Sequence, residues 1–457
     1  MISDQTKGSG DSGGRLVSGR LDLLRRRVQF FQASRNAIFI GGTIAAIGSD
    51  WLELTGVRKF AQIGDLVSQT PGDLSSVIGV VVQISANLVR VKATGRIQLS
   101  LGESAFLLGQ PSVRPCDRWI GHVFNSLGYC LDDAVFRSSA MASMSLYGST
   151  NALRSSSIDW TPFRSGVRVI DLFTPLCYGQ RVGVFAGSGV GKSTLLDMLV
   201  SRSSCDIAIM AFVGERRREV SDFLARTNPS ILARSICVVA TSDESALMRQ
   251  LAPLTAMTIA EYFRDQGLRV LLVVDSLTRY AHAVREILLA GGAAPVARGY
   301  PASMTGEMAR LLERAGHGAV GAGSITGVFS VLVDGDDHND PVADAARGIL
   351  DGHIVLDRQI AERPQYPPVD ILKSISRLVD RALEPQQMAL VTQARKMISA
   401  FEDTRDLRSI GAYQRGLNPA VDRAIDIVPS IYDFLSESPH TPTDSNPFGG
   451  LEKLLAR

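Results

Sequence analysis

The sequence lacks the cysteine spacings of metal-binding and redox motifs. Its five cysteines (116, 130, 177, 205 and 237) show no C-x-x-C pair, and their number is odd. This pattern predicts reduced thiols in a cytosolic protein and argues against a disulfide framework or a zinc site. The six histidines are scattered and indicate no metal site. No apolar run approaches the length of a membrane span, and no signal-peptide core is present.

Neither sign of charge dominates, since 48 Lys and Arg face 46 Asp and Glu. This balance argues against a protein built mainly to hold nucleic acid. The contents of 45% apolar and 21% charged residues are ordinary for a globular protein. A chain of 457 residues is too long for one compact core, so we expect two or three domains.

The most informative stretch is a glycine-rich loop between a predicted strand (182–185) and a predicted helix (194–200). Its glycines let successive backbone N–H groups turn toward a polyphosphate, and the helix adds its positive N-terminal end. Lys192 supplies a mobile charge for the outer phosphates and Ser193 a hydroxyl for Mg²⁺. The residues predicted to bind the nucleotide here are Ala186, Gly187, Ser188, Gly189, Val190, Gly191, Lys192, Ser193 and Thr194.

Two carboxylates follow other apolar runs. Asp275 ends the continuous run 270–274, which suits a strand covered on both faces. Glu215 follows the run 207–213. Because ligands bind at the carboxyl edge of parallel sheets, we expect both side chains beside the phosphate loop, with Asp275 holding Mg²⁺.

The composition and the apolar patterns of the sequence change along the chain and predict five segments. Short β-rich runs at 36–110 indicate a small barrel, and alternating strands and helices at 111–380 indicate a mostly parallel sheet wrapped by helices. The sequence loses its strand signal at 381–435 and predicts a helical domain. Residues 1–35 contain a basic amphipathic segment, which suits a partner groove, an anionic membrane or packing on its own domain. Residues 436–457 are predicted to form a flexible tail.

Four motifs together resemble the catalytic subunits of rotary ATP synthases, and most closely their export branch, the flagellar and type III secretion ATPases. The motifs are AGSGVGKS at 186–193, VGERRRE at 213–219, DSLTRY at 275–280 and DGHIVLDR at 351–358. The resemblance implies an α/β fold with a P-loop, RecA-like core, an N-terminal β-barrel and a C-terminal helical domain. Within the export branch, Tyr280 and residues 409–413 resemble the flagellar ATPases more closely. Residues 414–416 and 422–426 resemble the injectisome ATPases more closely. Residues 299–306 depart from the family pattern and receive no role.

The resemblance also implies roles for individual residues. Glu215 matches the carboxylate that orients the attacking water, and Asp275 the magnesium-side aspartate. Arg216 and Arg279 match arginines near the γ-phosphate, and Tyr366 an aromatic that stacks on adenine. Arg377 matches an arginine that reaches across a subunit boundary to the neighbour's nucleotide.

The function so implied is an ATPase that uses Mg²⁺ and ATP in a homohexameric ring to power flagellar protein export. The implied partners are further copies of the chain, export-apparatus proteins including a stator-like regulator at the N-terminal arm, export substrates with their chaperones, and an anionic membrane, with no nucleic acid. The implied location is the cytoplasm, peripheral at the inner-membrane export gate. The alternatives are an injectisome ATPase, a hexameric nucleic-acid helicase, a proton-coupled synthase subunit and an inactive scaffold. The few aromatics at 36–110 count against the helicase, and Lys192, Glu215 and Asp275 count against the scaffold.

Overall fold

The computed structural model describes residues 39–95, 98–132, 142–148, 160–333, 340–363 and 365–456. The predicted N-terminal arm at 1–35 lies outside them. Packing divides the chain into two units, with the boundary between Gln110 and Pro111.

The first unit contains a closed six-stranded barrel in the order β1-β2-β5-β4-β3-β6. Alternate residues of β2 point inward, and Leu52 and Leu54 are fully buried there. Five of these strands coincide with the short β-rich runs predicted at 36–110, whereas β3 is only three residues long. The strands are β1 (Ile40–Ile47), β2 (Trp51–Thr55), β3 (Leu66–Ser68), β4 (Val77–Ile84), β5 (Val89–Ala93) and β6 (Ser104–Gly109), with a 3₁₀ turn at Leu74–Ser76.

The second unit is built on a large sheet. The strands of this unit are β7 (Ser112–Val113), β8 (Val123–Asn125), β9 (Met144–Ser145), β10 (Pro162–Phe163), β11 (Leu176–Cys177), β12 (Arg181–Ala186), β13 (Ile207–Glu215), β14 (Ser235–Thr241), β15 (Arg269–Asp275), β16 (Gly316–His317), β17 (Ser324–Leu332), β18 (Gly352–Leu356) and β19 (Ile375–Ser376). The main sheet has the order β19-β18-β12-β17-β15-β13-β14-β8, with β16 paired to β17. Among the described strands of this sheet, β16 and β19 run antiparallel to their neighbours. The central strands are buried on both faces, which explains their continuous apolar runs.

Helices cover the sheet and form the C-terminal region. They are α1 (Arg168–Phe173), α2 (Lys192–Arg202), α3 (Arg217–Arg226), α4 (Pro229–Leu232), α5 (Ala246–Asp265), α6 (Leu277–Ala290), α7 (Ser303–Leu312), α8 (Pro341–Ile349), α9 (Arg358–Ala361), α10 (Val379–Ala382), α11 (Pro385–Asp403), α12 (Arg405–Ser409), α13 (Pro419–Leu435) and α14 (Pro447–Leu455), with a 3₁₀ turn at Asp117–Trp119. The predicted fold class, with its barrel, mostly parallel core and C-terminal helices, is confirmed. Apolar residues of the sheet and of α11 and α13 belong to one hydrophobic cluster, so the hydrophobic core is continuous across residue 380.

The C-terminal segment differs from the flexible tail predicted at 436–457. It contains α14, in which Leu451 and Leu455 are buried. The buried carboxylate of Glu437 lies 3.6 Å from Arg168 and 3.5 Å from Arg202, and anchors the segment. Asn446 caps α14, whose first residue is a proline, so the Ser, Pro and Asn content marks a helix start rather than a loose chain.

Among the described residues, no helix combines the length and the apolar composition that crossing a membrane requires.

Candidate active site

The phosphate loop connects β12 to α2 at the carboxyl edge of the sheet. Gly189 and Gly191 have φ angles of 76° and 103°, which other residues adopt only with strain. No described side chain caps the first turn of α2, so its N–H groups are available to an anion. Ser193 and Thr194 in that turn are exposed. The loop therefore has the open, N–H-lined form that binds phosphates.

Lys192 joins the loop to two carboxylates from other strands. Glu215 ends β13 and Asp275 ends β15, and both strands run parallel within the sheet that contains β12. The Lys192 ammonium donates a short hydrogen bond to Asp275 and lies 3.4 Å from Oε1 of Glu215. Both carboxylates are 5% exposed. A lysine whose side chain is 11% exposed is thus paired with two buried acids, which hold its charge beside the phosphate loop.

A local irregularity in β13 orients Glu215. The pairing of β13 with β14 shifts between Val213 and Glu215, and Gly214 has a φ of 68°. A Cβ on Gly214 would lie 2.9 Å from Cδ of Arg279, so only glycine lets that side chain pass. Arg279 then reaches to 3.5 Å from Oε2 of Glu215. Such bulges commonly redirect a side chain next to an active site.

Burial raises the pKa of Glu215 to about 7, and the neighbouring Asp275 and Glu219 act in the same direction. Lys192 and Arg279 oppose this rise but do not cancel it. A carboxyl group with a pKa near neutrality exchanges a proton readily at physiological pH, and as a carboxylate it accepts a hydrogen bond from water.

Two polar contacts at this edge of the sheet have no motif in the sequence. The fully buried Ser330 donates a 2.6 Å hydrogen bond to Asp275. The strand register explains the contact of Ser330 with Asp275. Val274 of β15 pairs with Phe329 of β17, so the next residues, Asp275 and Ser330, are neighbours. Arg358 donates a 3.0 Å hydrogen bond to the carbonyl of Ser188 in the loop. This hydrogen bond connects the motif at 351–358 to the phosphate loop at 186–193, and only the folded chain brings these two motifs together.

Tyr366 borders the loop on the other side. A Cβ on Gly191 would lie 3.9 Å from Cε1 of Tyr366, and the tyrosine is 44% exposed. Together they line a cleft of about 420 Å³, which we call the base-side cleft, with Thr194, Met198, Pro368 and residues 436–439. An exposed aromatic face beside a phosphate loop is suited to stacking with a nucleobase.

The other arginines predicted in the site lie at the surface. The Arg216 side chain is 79% exposed and lies 3.6 Å from Glu219. Arg377 is exposed after β19, the last strand at one edge of the sheet, and donates to the carbonyl of Arg347 at 3.3 Å. The fold therefore brings Lys192, Glu215, Asp275 and Arg279 together but leaves Arg216 and Arg377 outside this cluster.

Two family models match the chain. The nucleotide-binding domain of the ATP synthase alpha/beta family matches residues 166–376. The C-terminal domain of the type III secretion ATPase EscN matches residues 383–447.

Curated relatives and a solved structure are similar over most of the chain. The flagellum-specific ATP synthase of Agrobacterium fabrum is 43% identical, covering 96% of this chain and 93% of its own length. That of Rhizobium meliloti is 47% identical, covering 88% and 86%. The structure of assembled EscN from enteropathogenic E. coli, in complex with its central stalk EscO, has a TM-score of 0.82 at 35% identity. It covers 91% of this chain and all of the EscN chain.

Proposed function

The chain belongs to the flagellum-specific ATP synthase family, and we propose that it is the ATPase of a flagellar protein export apparatus. It hydrolyses ATP with Mg²⁺ at the subunit boundaries of a homohexameric ring and so drives the export of flagellar proteins. The observation that carries this proposal is the meeting of Lys192, Glu215 and Asp275 at the carboxyl edge of one sheet.

The phosphate loop binds the triphosphate of ATP. Its backbone N–H groups and the N-terminus of α2 hold the anion, and Lys192 moves from its two carboxylates to the outer phosphates. This exchange frees Glu215 from the lysine. Its carboxylate then accepts a hydrogen bond from the attacking water and orients it, which is the task that phosphoryl transfer requires of a protein side chain.

The donor set around Ser193 fits Mg²⁺. Ser193 offers an exposed hydroxyl, and Asp275 offers a carboxylate that Ser330 holds in place, so the ligands are the hard oxygen donors that this ion prefers. When bound, Mg²⁺ neutralises the charge that develops on the phosphates.

Arginines and an aromatic complete the site. Arg279 reaches from α6 to Oε2 of Glu215, and we assign it to the γ-phosphate. Arg216 follows Glu215 directly, and its side chain pairs with the exposed Glu219. Because a surface ion pair of this kind is weak, the Arg216 side chain can turn toward the γ-phosphate. Tyr366 stacks on adenine in the base-side cleft.

Arg377 acts on the nucleotide of the neighbouring subunit. Its exposed place directly after the edge strand β19, outside its own site, suits a residue that works across a boundary. Rings closed by one repeated interface are a common oligomer symmetry. EscN, the structural relative, is an assembled ATPase in complex with a central stalk, which supports a ring with a stalk-like partner here.

The remaining partners and the location follow from this role. We propose contacts with a stator-like regulator at residues 1–35, with export substrates and chaperones, and with the inner membrane at the export gate. We further propose that the chain is organised as a β-barrel at 36–110, a nucleotide-binding ATPase core at 111–380 and a C-terminal helical domain at 381–435.

The test is the ATPase activity of the purified chain over a range of protein concentrations, with assembly followed by light scattering. A shared site predicts that activity per chain rises as rings form. Constant activity per chain across the assembly transition would exclude a site shared between subunits. The flagellar role is tested by restoring motility in a strain that lacks its own export ATPase, with Lys192→Ala as the inactive control.

A further inference from the structure

A short β-hairpin lies at the far edge of the sheet from β19. Strand β8 turns at residues 126–128, where the side chain of Asn125 accepts hydrogen bonds from the N–H groups of Leu127 and Tyr129. The returning strand pairs Phe124 with Cys130, and the Leu131 N–H donates to the Val123 carbonyl at 2.7 Å. This pairing places residue 122 opposite residue 132.

The register brings three metal-binding side chains to one face. Residues opposite each other in an antiparallel pair share a face, and so do residues two apart along a strand. His122 and Asp132 are therefore directly opposed, and Cys130 is the diagonal neighbour on the same face. Cys130 and Asp132 lie eight and ten residues after His122, and these spacings match no metal-binding motif. The sequence alone therefore gives no indication of a metal site here.

The distances between the ligand atoms of these residues are close to those in a tetrahedral metal site. One ligand atom from each of His122, Cys130 and Asp132 lies within 4.8 Å of the other two. Nδ1 of His122 is 3.4 Å from Oδ2 of Asp132. In a tetrahedral zinc site, bonds of about 2.0–2.3 Å separate the ligand atoms by about 3.3–3.6 Å, so the imidazole and carboxylate already have the required spacing. Sγ of Cys130 lies within 4.8 Å of both atoms, so it needs to approach by at most about 1.5 Å to complete the set.

The surroundings also suit a metal. Oδ2 of Asp132, the oxygen nearest His122, also accepts a 2.8 Å hydrogen bond from the Val123 N–H, which fixes the position of the carboxylate. The side chains of His122 and Asp132 are 34% and 42% exposed, so an ion has a path from solvent.

We propose that His122, Cys130 and Asp132 bind one divalent transition metal ion, Zn²⁺ in particular, with a fourth position taken by water. A thiolate beside an imidazole favours this class of ion over Mg²⁺ and Ca²⁺, which take oxygen ligands. The site is distinct from the nucleotide site, whose donors are all oxygens. A bound ion would tie the end of the hairpin to its start and so stabilise the edge strand β8.

The first experiment uses the full chain stripped with a chelator and titrated with Co²⁺ as a spectroscopic probe. We expect one equivalent to bind, with a thiolate-to-cobalt charge-transfer band and the visible bands of a tetrahedral site, and Zn²⁺ to displace it. Cys130→Ser should remove the charge-transfer band, and His122→Ala should weaken binding at least about tenfold. Cys205→Ser and His440→Ala, which change residues outside the cluster, should bind as the parent does.

A thermal unfolding measurement separates loss of the site from loss of the fold. In chelator, the parent chain and the His122→Ala and Cys130→Ser variants should unfold at closely similar temperatures, and Zn²⁺ should raise the melting temperature of the parent alone. Adding ATP should leave the cobalt spectrum unchanged, since the nucleotide site lies elsewhere. A parent chain without the charge-transfer band, or a Cys130→Ser variant that retains it, would overturn the proposal.

Discussion

Two groups of charged side chains contrast at the nucleotide site. The interior group is Lys192, Glu215 and Asp275, whose side chains are 7–11% exposed and are held by contacts within one chain. The surface group is Arg216 and Arg377, and both are exposed. Arg216 pairs with Glu219, and Arg377 donates to the carbonyl of Arg347. The interior group needs no partner to reach its geometry. The surface group has no site to act on until a nucleotide or a neighbouring subunit arrives, so a single chain is expected to bind ATP but to hydrolyse it poorly.

The largest effect should come from the interior group. Lys192→Ala removes the mobile cation of the loop and leaves the buried Asp275 without the ammonium that pairs with it. We expect no detectable turnover and weaker ATP binding, measured by phosphate release and by fluorescent-nucleotide titration. The exposed Lys453→Ala is the matched control and should behave as the parent. Turnover close to that of the parent would remove Lys192 from the site.

The surface group is tested next. Arg377→Ala should bind ATP normally and hydrolyse it about 10³–10⁵-fold more slowly, the range known for arginines supplied in trans. Arg381→Ala, another exposed arginine nearby, is the matched control and should retain activity.

Mixing distinguishes a trans from a cis role for Arg377. Combining Arg377→Ala with Lys192→Ala chains creates boundaries that have an intact loop on one side and an intact arginine on the other. Activity should partly return at concentrations that favour assembly, as followed by light scattering. If both variants assemble and no mixture recovers activity, Arg377 acts within its own subunit.

Glu215→Gln separates binding from chemistry within the interior group. The amide keeps the shape of the side chain but is a poor proton acceptor, so hydrolysis should fall about 10²–10⁴-fold. ATP affinity should stay near that of the parent in the same titration, and Glu452→Gln serves as the exposed control. Loss of ATP binding together with hydrolysis would show that Glu215 is structural.

The smallest effect is expected from pH. Because the pKa of Glu215 is raised to about 7, the active carboxylate is present above that value and is lost as the pH falls through it. From one unit above this pKa to one unit below it, kcat/KM should fall about tenfold, since this ratio reports the free enzyme. The residual activity of Glu215→Gln, measured in the same buffers, should lack this acid limb. An acid limb that is unchanged in the variant belongs to ATP or to another residue.

Much of the interior group could be predicted because each residue ends or begins an element with a clear pattern. Lys192 follows glycines that precede a helix, and Asp275 ends a continuous apolar run. Ser330 could not be found this way, because a serine inside an apolar strand acquires its role only from the register with β15. The contacts of Arg358 with the loop and of Glu437 with Arg168 join residues far apart in sequence, and no local pattern encodes such pairs.

Helix α13 connects the base-side cleft to a distant part of the protein surface. It is 17 residues long and ends at Leu435, directly before residues 436–439, which line the base-side cleft. The Glu437 N–H also donates to the Tyr366 carbonyl at 2.7 Å, which connects the aromatic to this end of the helix. The helix spans about 25 Å, so a tilt of about 5° at the cleft displaces its other end by about 2 Å. That end adjoins the exposed Leu417, so any tilt of the helix at the cleft would shift this part of the surface.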